Sequence, residues 1–136
     1  MDAIGTPNAA EAPSLRGLRV LVVEDSYVVA RAIGALLEEI GMVVIGPVAT
    51  CADAERLFLE RSPDLALVDI HLKQETSFYL MDRLHAAGIP LLAMSGSAAH
   101  TTVPTASTVL QKPFRGSDLL SALNGIFASS LRAAAC

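Results

Sequence analysis

The chain has 136 residues, a net charge of −4 and 52% hydrophobic residues, which suits one domain able to bury roughly 70% of its unfolded surface around a single core. Its N-terminus lacks the basic start and apolar centre of a secretory signal, and no apolar stretch is long enough to span a bilayer. Two cysteines at unrelated positions and no basic run leave no disulfide framework, no thiolate metal site and no nucleic-acid footprint, which points to a reducing, cytoplasmic setting.

Residues 1–16, rich in Ala, Pro, Asn and Ser without periodicity, read as a disordered leader. A domain over 17–131 follows. The run Val20-Leu21-Val22-Val23 predicts a first strand over 18–23, apolar throughout as a strand buried on both faces should be. It ends in Glu24-Asp25. Ser26 is then an N-cap candidate for a helix carrying Val29, Ile33, Leu36, Leu37 and Ile40 at helical spacing, stopped by Gly41. Val43-Val44-Ile45 is a second strand, closed by Gly46-Pro47. A second helix is expected over about 52–61, with Ala54, Leu57 and Phe58 on one face and Ser62-Pro63 as terminator. Cys51 at its start reads as a buried or half-buried thiol. Strand three, 65–69, ends in Asp69.

A third helix is expected from about Ser77 to Ala87, burying Phe78, Met81 and Leu84 ahead of Gly88. Strand four is Pro90–Met94, followed by Ser95-Gly96, and strand five is 108–110, leading into Gln111-Lys112-Pro113-Phe114. The last helix covers about Ser117 to Leu131, with Leu119, Leu120, Leu123, Ile126 and Phe127 inward. Residues 132–136 read as a short tail with no output domain attached. Tyr27 and Tyr79 read as packing residues, and His85 and His100 as surface residues. Between strands four and five, residues 96–107 combine adjacent β-branched residues, Pro104 and no helical apolar face. A loop or single turn fits there, so the fourth crossover helix is expected to be short or absent. Strands alternating with helices predict an α/β fold, a doubly wound parallel sheet with helices on both faces.

In such a sheet the carboxyl ends of the strands line the ligand crevice. Glu24, Asp25 and Asp69 therefore converge. Two unit charges at 4 Å repel by about 4 kcal/mol at an effective dielectric of 20, so three acids require a compensating cation. A hard divalent ion with oxygen ligands, most naturally Mg²⁺, meets that need, and Lys112 adds a compact positive charge. Ser95 brings a hydroxyl to the same edge. The set describes phosphoryl transfer to a carboxylate, with Asp69 as nucleophile, the metal and Lys112 neutralising charge, and Ser95 bonding phosphoryl oxygens.

The segments Val23-Glu24-Asp25-Ser26, Leu67-Val68-Asp69-Ile70, Met94-Ser95-Gly96 and Leu110-Gln111-Lys112-Pro113-Phe114 resemble the receiver domain of two-component response regulators, over about residues 17–131. The resemblance implies a flavodoxin-like, five-stranded sheet in the order 2-1-3-4-5. It implies direct ligation of Mg²⁺ by Asp25, Asp69 and the backbone carbonyl of His71, with Glu24 acting through water. It also implies that the N–H groups of Ile70 and Gly96 bind phosphoryl oxygens, and that the phosphoryl group comes from a histidine kinase. A narrower similarity, through Gly46-Pro47, Gln74-Glu75-Thr76-Ser77 and Pro90-Leu91-Leu92-Ala93-Met94-Ser95-Gly96, is to the atypical alphaproteobacterial single-domain regulators, whose fourth strand reads Pro-Phe-x-Phe-Ala-Thr-Gly. The chain departs from the wider pattern at Val109, where the common receiver carries a switch aromatic three residues before the lysine.

The expected function is thus a stand-alone phosphoacceptor without enzymatic turnover, acting through a downstream protein partner, with neither nucleic acid nor membrane involved. A pseudo-receiver that only binds proteins is the alternative, against which every site residue is present. A phosphohydrolase of the haloacid dehalogenase type is disfavoured, because His71 stands where such enzymes carry a second Asp.

Overall fold

In the computed structural model the described residues are 14–96 and 108–135. Eleven elements occur among them: β1 (Arg19–Val23), α1 (Tyr27–Glu39), β2 (Val43–Val48), α2 (Cys51–Arg61), β3 (Leu65–Asp69), β4 (His71–Leu72), β5 (Glu75–Thr76), α3 (Phe78–Ala86), β6 (Leu91–Ser95), β7 (Thr108–Gln111) and α4 (Gly116–Ala135). Five strands form one parallel sheet in the order β2-β1-β3-β6-β7, while β4 and β5 make a separate antiparallel hairpin. The main sheet has the expected 2-1-3-4-5 winding once the hairpin is set aside. Of the segment 96–107, expected to lack a crossover helix, residues 97–107 lie outside the described residues.

Strand alternation divides the core into two layers. On one face Leu21, Val23, Ala66, Val68 and Ala93 meet Ala54 of α2 and Leu80, Met81 and Leu84 of α3. On the other, Val20, Val22, Leu65, Leu67, Leu92 and Met94 meet Ile33 and Leu37 of α1 and Leu119, Leu123 and Ile126 of α4. Every residue of the central strands β3 and β6 is buried. At about 25 cal/mol per Å² of apolar surface, this two-sided burial is the main stabilising term.

The helix boundaries follow the local chemistry. Ser26 caps α1 by accepting from Val29 N–H, and Gly41, with φ of +92°, ends the turn that follows. Thr50 caps α2 by accepting from Asp53 N–H, and Ser62 closes it in the left-handed region.

Several expectations need correction. Strand β2 continues through Gly46-Pro47 to Val48 instead of ending there, which is tolerated because an edge strand can lose one N–H donor at Pro. Leu15 is buried, and Gly17 N–H donates to Gly41 O, so the end of the supposed leader packs onto the core. Residues 1–13 lie outside the described residues. Phe78 is exposed, whereas Met81 and Leu84 are buried as expected, together with Leu80. Tyr27 and Tyr79 are exposed too, each lying beneath an arginine four residues on. The last helix runs to Ala135 and not Leu131.

Candidate functional site

The acids arrive at the carboxyl ends of two neighbouring central strands. Glu24 N–H donates to Val48 O at 2.9 Å, which extends the pairing of β1 by one residue and fixes where its acidic pair begins. Asp69 ends β3, opposite Met94 of β6. One carboxylate oxygen from each of Glu24, Asp25 and Asp69 lies within 4.8 Å of the other two. Glu24 and Asp69 are buried, and Asp25 is half-buried.

Lys112 enters from the third strand end. Its backbone N–H donates to Ser95 O at 2.7 Å, and its Nζ donates to Glu24 Oε1 at 2.6 Å and Asp69 Oδ2 at 2.8 Å. Burial pulls the ammonium pKa down, but the hydrogen bonds and charges of Asp69 and Glu24 outweigh this and hold it above the ordinary lysine value. Lys112 is therefore a fixed cation at physiological pH.

Three carboxylates against one ammonium leave an excess of negative charge, and an all-oxygen donor set at this spacing fits Mg²⁺. The acids are not equivalent. Glu24 has both oxygens engaged, Oε1 by Lys112 and Oε2 by the Ser26 N–H at 3.0 Å. Asp25 takes part in no hydrogen bond or ion pair among the described residues and has its lone pairs to offer.

Ser95 is buried at the end of β6, in register with Gln111, and Gly96 follows it into solvent at the same edge. The structure brings together Glu24, Asp25, Asp69, Ser95 and Lys112. It does not support Ile70 as a phosphoryl ligand. The Ile70 N–H already donates to Met94 O at 2.9 Å as part of the sheet. The next N–H, that of His71, instead faces Asp69 Oδ1 at 3.4 Å, so this backbone group meets the Asp69 carboxylate. The His71 side chain is exposed. Val109, in register with Ala93, is 37% exposed and carries no ring to swing inward.

Ser77 was not singled out from sequence as a site residue. It is fully buried, and its hydroxyl donates to Asp69 O at 2.7 Å and Ile70 O at 3.3 Å. A serine ahead of an apolar helix reads only as an N-cap, so nothing in the sequence distinguished it.

The family profile of the response regulator receiver domain matches residues 20–124. A protein-glutamate methylesterase/protein-glutamine glutaminase of Hahella chejuensis is 31% identical over 99 residues, 68% of this chain and 27% of that protein. The virulence-factor transcription regulator BvgA of Bordetella pertussis is 30% identical over 73 residues, 54% of this chain and 35% of that protein. The chain thus spans about a third or less of the curated relatives it matches. Among solved structures, a CheY-like receiver domain from Methylobacillus flagellatus superposes with a TM-score of 0.70 at 24% identity, covering 81% of this chain and 98% of that one. The receiver domain of a sensor histidine kinase from Pseudomonas aeruginosa, which has a magnesium ion coordinated in its active site cleft, gives 0.73 at 24% identity, covering 82% and 98%.

Proposed function

The chain belongs to the response regulator receiver family, and from that premise we propose that it accepts a phosphoryl group from a histidine kinase on Asp69 and signals to a protein partner in that form. One observation carries the reading: a buried Asp at a strand end, held at 2.8 Å by a lysine that also binds a second buried acid. A carboxylate so placed is fixed for attack and screened from its neighbours' charge.

In the transfer, an Asp69 carboxylate oxygen forms the new bond to phosphorus as the P–N bond to the kinase's histidine breaks, its electron pair returning to the imidazole. Lys112 stays protonated and lies where negative charge gathers. The Ser95 hydroxyl and the N–H groups of His71 and Gly96 donate to the phosphoryl oxygens, with His71 taking the place first expected of Ile70. Asp25, Asp69 and the His71 carbonyl, with Glu24 through water, would hold Mg²⁺, which would supply positive charge to offset that of the transferring group.

Incubation with Mg²⁺ and acetyl phosphate or phosphoramidate, followed by intact-mass measurement, tests this. One phosphoryl group should be gained, and none without Mg²⁺ or in Asp69→Asn, whose amide is not a nucleophile. No gain under any of these conditions would favour the alternative, a pseudo-receiver that binds partners unphosphorylated.

A further inference from the structure

Ser77 occupies the N-cap position of α3, yet its side chain makes no capping bond to the helix. A fully buried hydroxyl is costly unless it is bonded, and this one is turned back towards the strand that carries Asp69. Its single proton is shared between Asp69 O at 2.7 Å and Ile70 O at 3.3 Å, while the Ser77 N–H donates to the same Ile70 O at 3.0 Å. Three contacts from one residue thus converge on two consecutive carbonyls.

The geometry of the peptide unit says what this does. A peptide is planar, so fixing its carbonyl also fixes the N–H of the next residue. The Asp69–Ile70 unit is held from both sides, its N–H by Met94 O and its C=O by Ser77. The next unit joins the Ile70 carbonyl, gripped by Ser77, to the His71 N–H, which faces Asp69 Oδ1 at 3.4 Å. Beyond it the β4–β5 hairpin leaves and returns to Ser77, and its second strand is tied to α2 by Glu75, which accepts the Cys51 N–H at 3.0 Å.

We propose that Ser77 is a positioning residue for phosphoryl transfer: through the Ile70 carbonyl it aims the His71 N–H at the group arriving on Asp69. This rests on the phosphoacceptor reading above. Ser77 itself touches no reactant.

The test compares Ser77→Ala and Ser77→Cys with Leu84→Ala, which removes a buried core contact in α3 but no group of the site. Ala removes the hydroxyl donor with little change in volume, and Cys replaces it with a weaker S–H donor on a slightly larger side chain. At saturating Mg²⁺, both Ser77 variants should be phosphorylated by phosphoramidate about tenfold or more slowly, the scale of losing an outer-shell partner, with the half-saturating donor concentration unchanged. Leu84→Ala, kept folded, should stay within about twofold of wild type on that same scale. The His71 amide should exchange faster in both Ser77 variants and not in Leu84→Ala. Rates within twofold of wild type for both Ser77 variants, or an equal slowing in Leu84→Ala, would overturn the proposal. If the wild type takes no phosphoryl group, the phosphoacceptor reading falls. The His71 amide then decides the positioning separately, and unchanged exchange there overturns it.

Discussion

Two ion pairs in this molecule have nearly the same length and opposite meanings. Arg83 reaches Glu55 at 2.7 Å across the gap between α3 and α2, with side chains 39% and 29% exposed. Lys112 reaches Glu24 and Asp69 at 2.6 and 2.8 Å, where the acid side chains are 0% and 6% exposed. The first joins two groups that water already solvates, and its Coulomb gain is mostly screened. The second holds two carboxylates that have lost their water, and removing the cation would leave them uncompensated. Distance therefore does not rank these interactions. Desolvation does, and it costs stability at the one edge of the sheet where chemistry is expected.

The largest expected effect from breaking this contrast is at Lys112. Lys112→Ala should lose roughly 3 kcal/mol in denaturant unfolding without divalent metal, the low end for a broken buried pair because the lysine is itself a fifth exposed. Millimolar Mg²⁺ should restore much of that, since a cation then again faces the acids. Metal binding should persist in the variant while any partner response to phosphorylation is lost. Equal stability of variant and wild type in chelator would show that the bridge compensates nothing.

The acids should separate next. Asp25→Ala should weaken Mg²⁺ binding by about tenfold or more, and Glu24→Ala by clearly less, because Lys112 and the Ser26 N–H already occupy the Glu24 oxygens. Titrations showing equal losses would reverse the assigned roles.

A smaller effect is expected at Cys51. Burial, then the charge and hydrogen bond of Glu75, push its thiol from 9.0 up to about 11. At neutral pH its thiolate fraction is about a hundredfold below that of an ordinary cysteine. Alkylation of the folded protein should be correspondingly slow. The sign for stability follows: the folded state favours the protonated thiol, so this contribution is present below pH 9 and is lost as pH rises from 9 towards about 11. Alkylation at Cys51 as fast as in the unfolded chain would contradict that environment. Least of all, Arg83→Ala should unfold indistinguishably from wild type, and a clear loss there would undo the comparison between the two pairs.

The central strands were legible because both their faces are buried. Leu65–Asp69 has the predicted bounds, and its apolar run needs no alternation to be recognised. Edges and polar turns were less so. Gly46-Pro47 looks like a stop, but an edge strand carried it on to Val48. The β4–β5 hairpin has two-residue strands, too short for a period to show. Phe78 was placed inward by residue type, although the helical face turned towards the sheet belongs to Leu80, Met81 and Leu84. At the site, the side chains that carry charge were readable, since each ends or follows a strand. Which backbone N–H was already spent in the sheet was not, because that depends on pairing between β3 and β6. Hence the resemblance pointed to the Ile70 N–H, which the sheet already uses, and Ser77 was read only as a helix start and part of a motif.

The most direct test of the account is to locate the phosphoryl group. Wild-type protein phosphorylated by a small donor with Mg²⁺, trapped by borohydride reduction of the acyl phosphate and mapped by tandem mass spectrometry, should carry its modification at Asp69 alone. A modification at Asp25, Glu24 or elsewhere, or none at all, would contradict it.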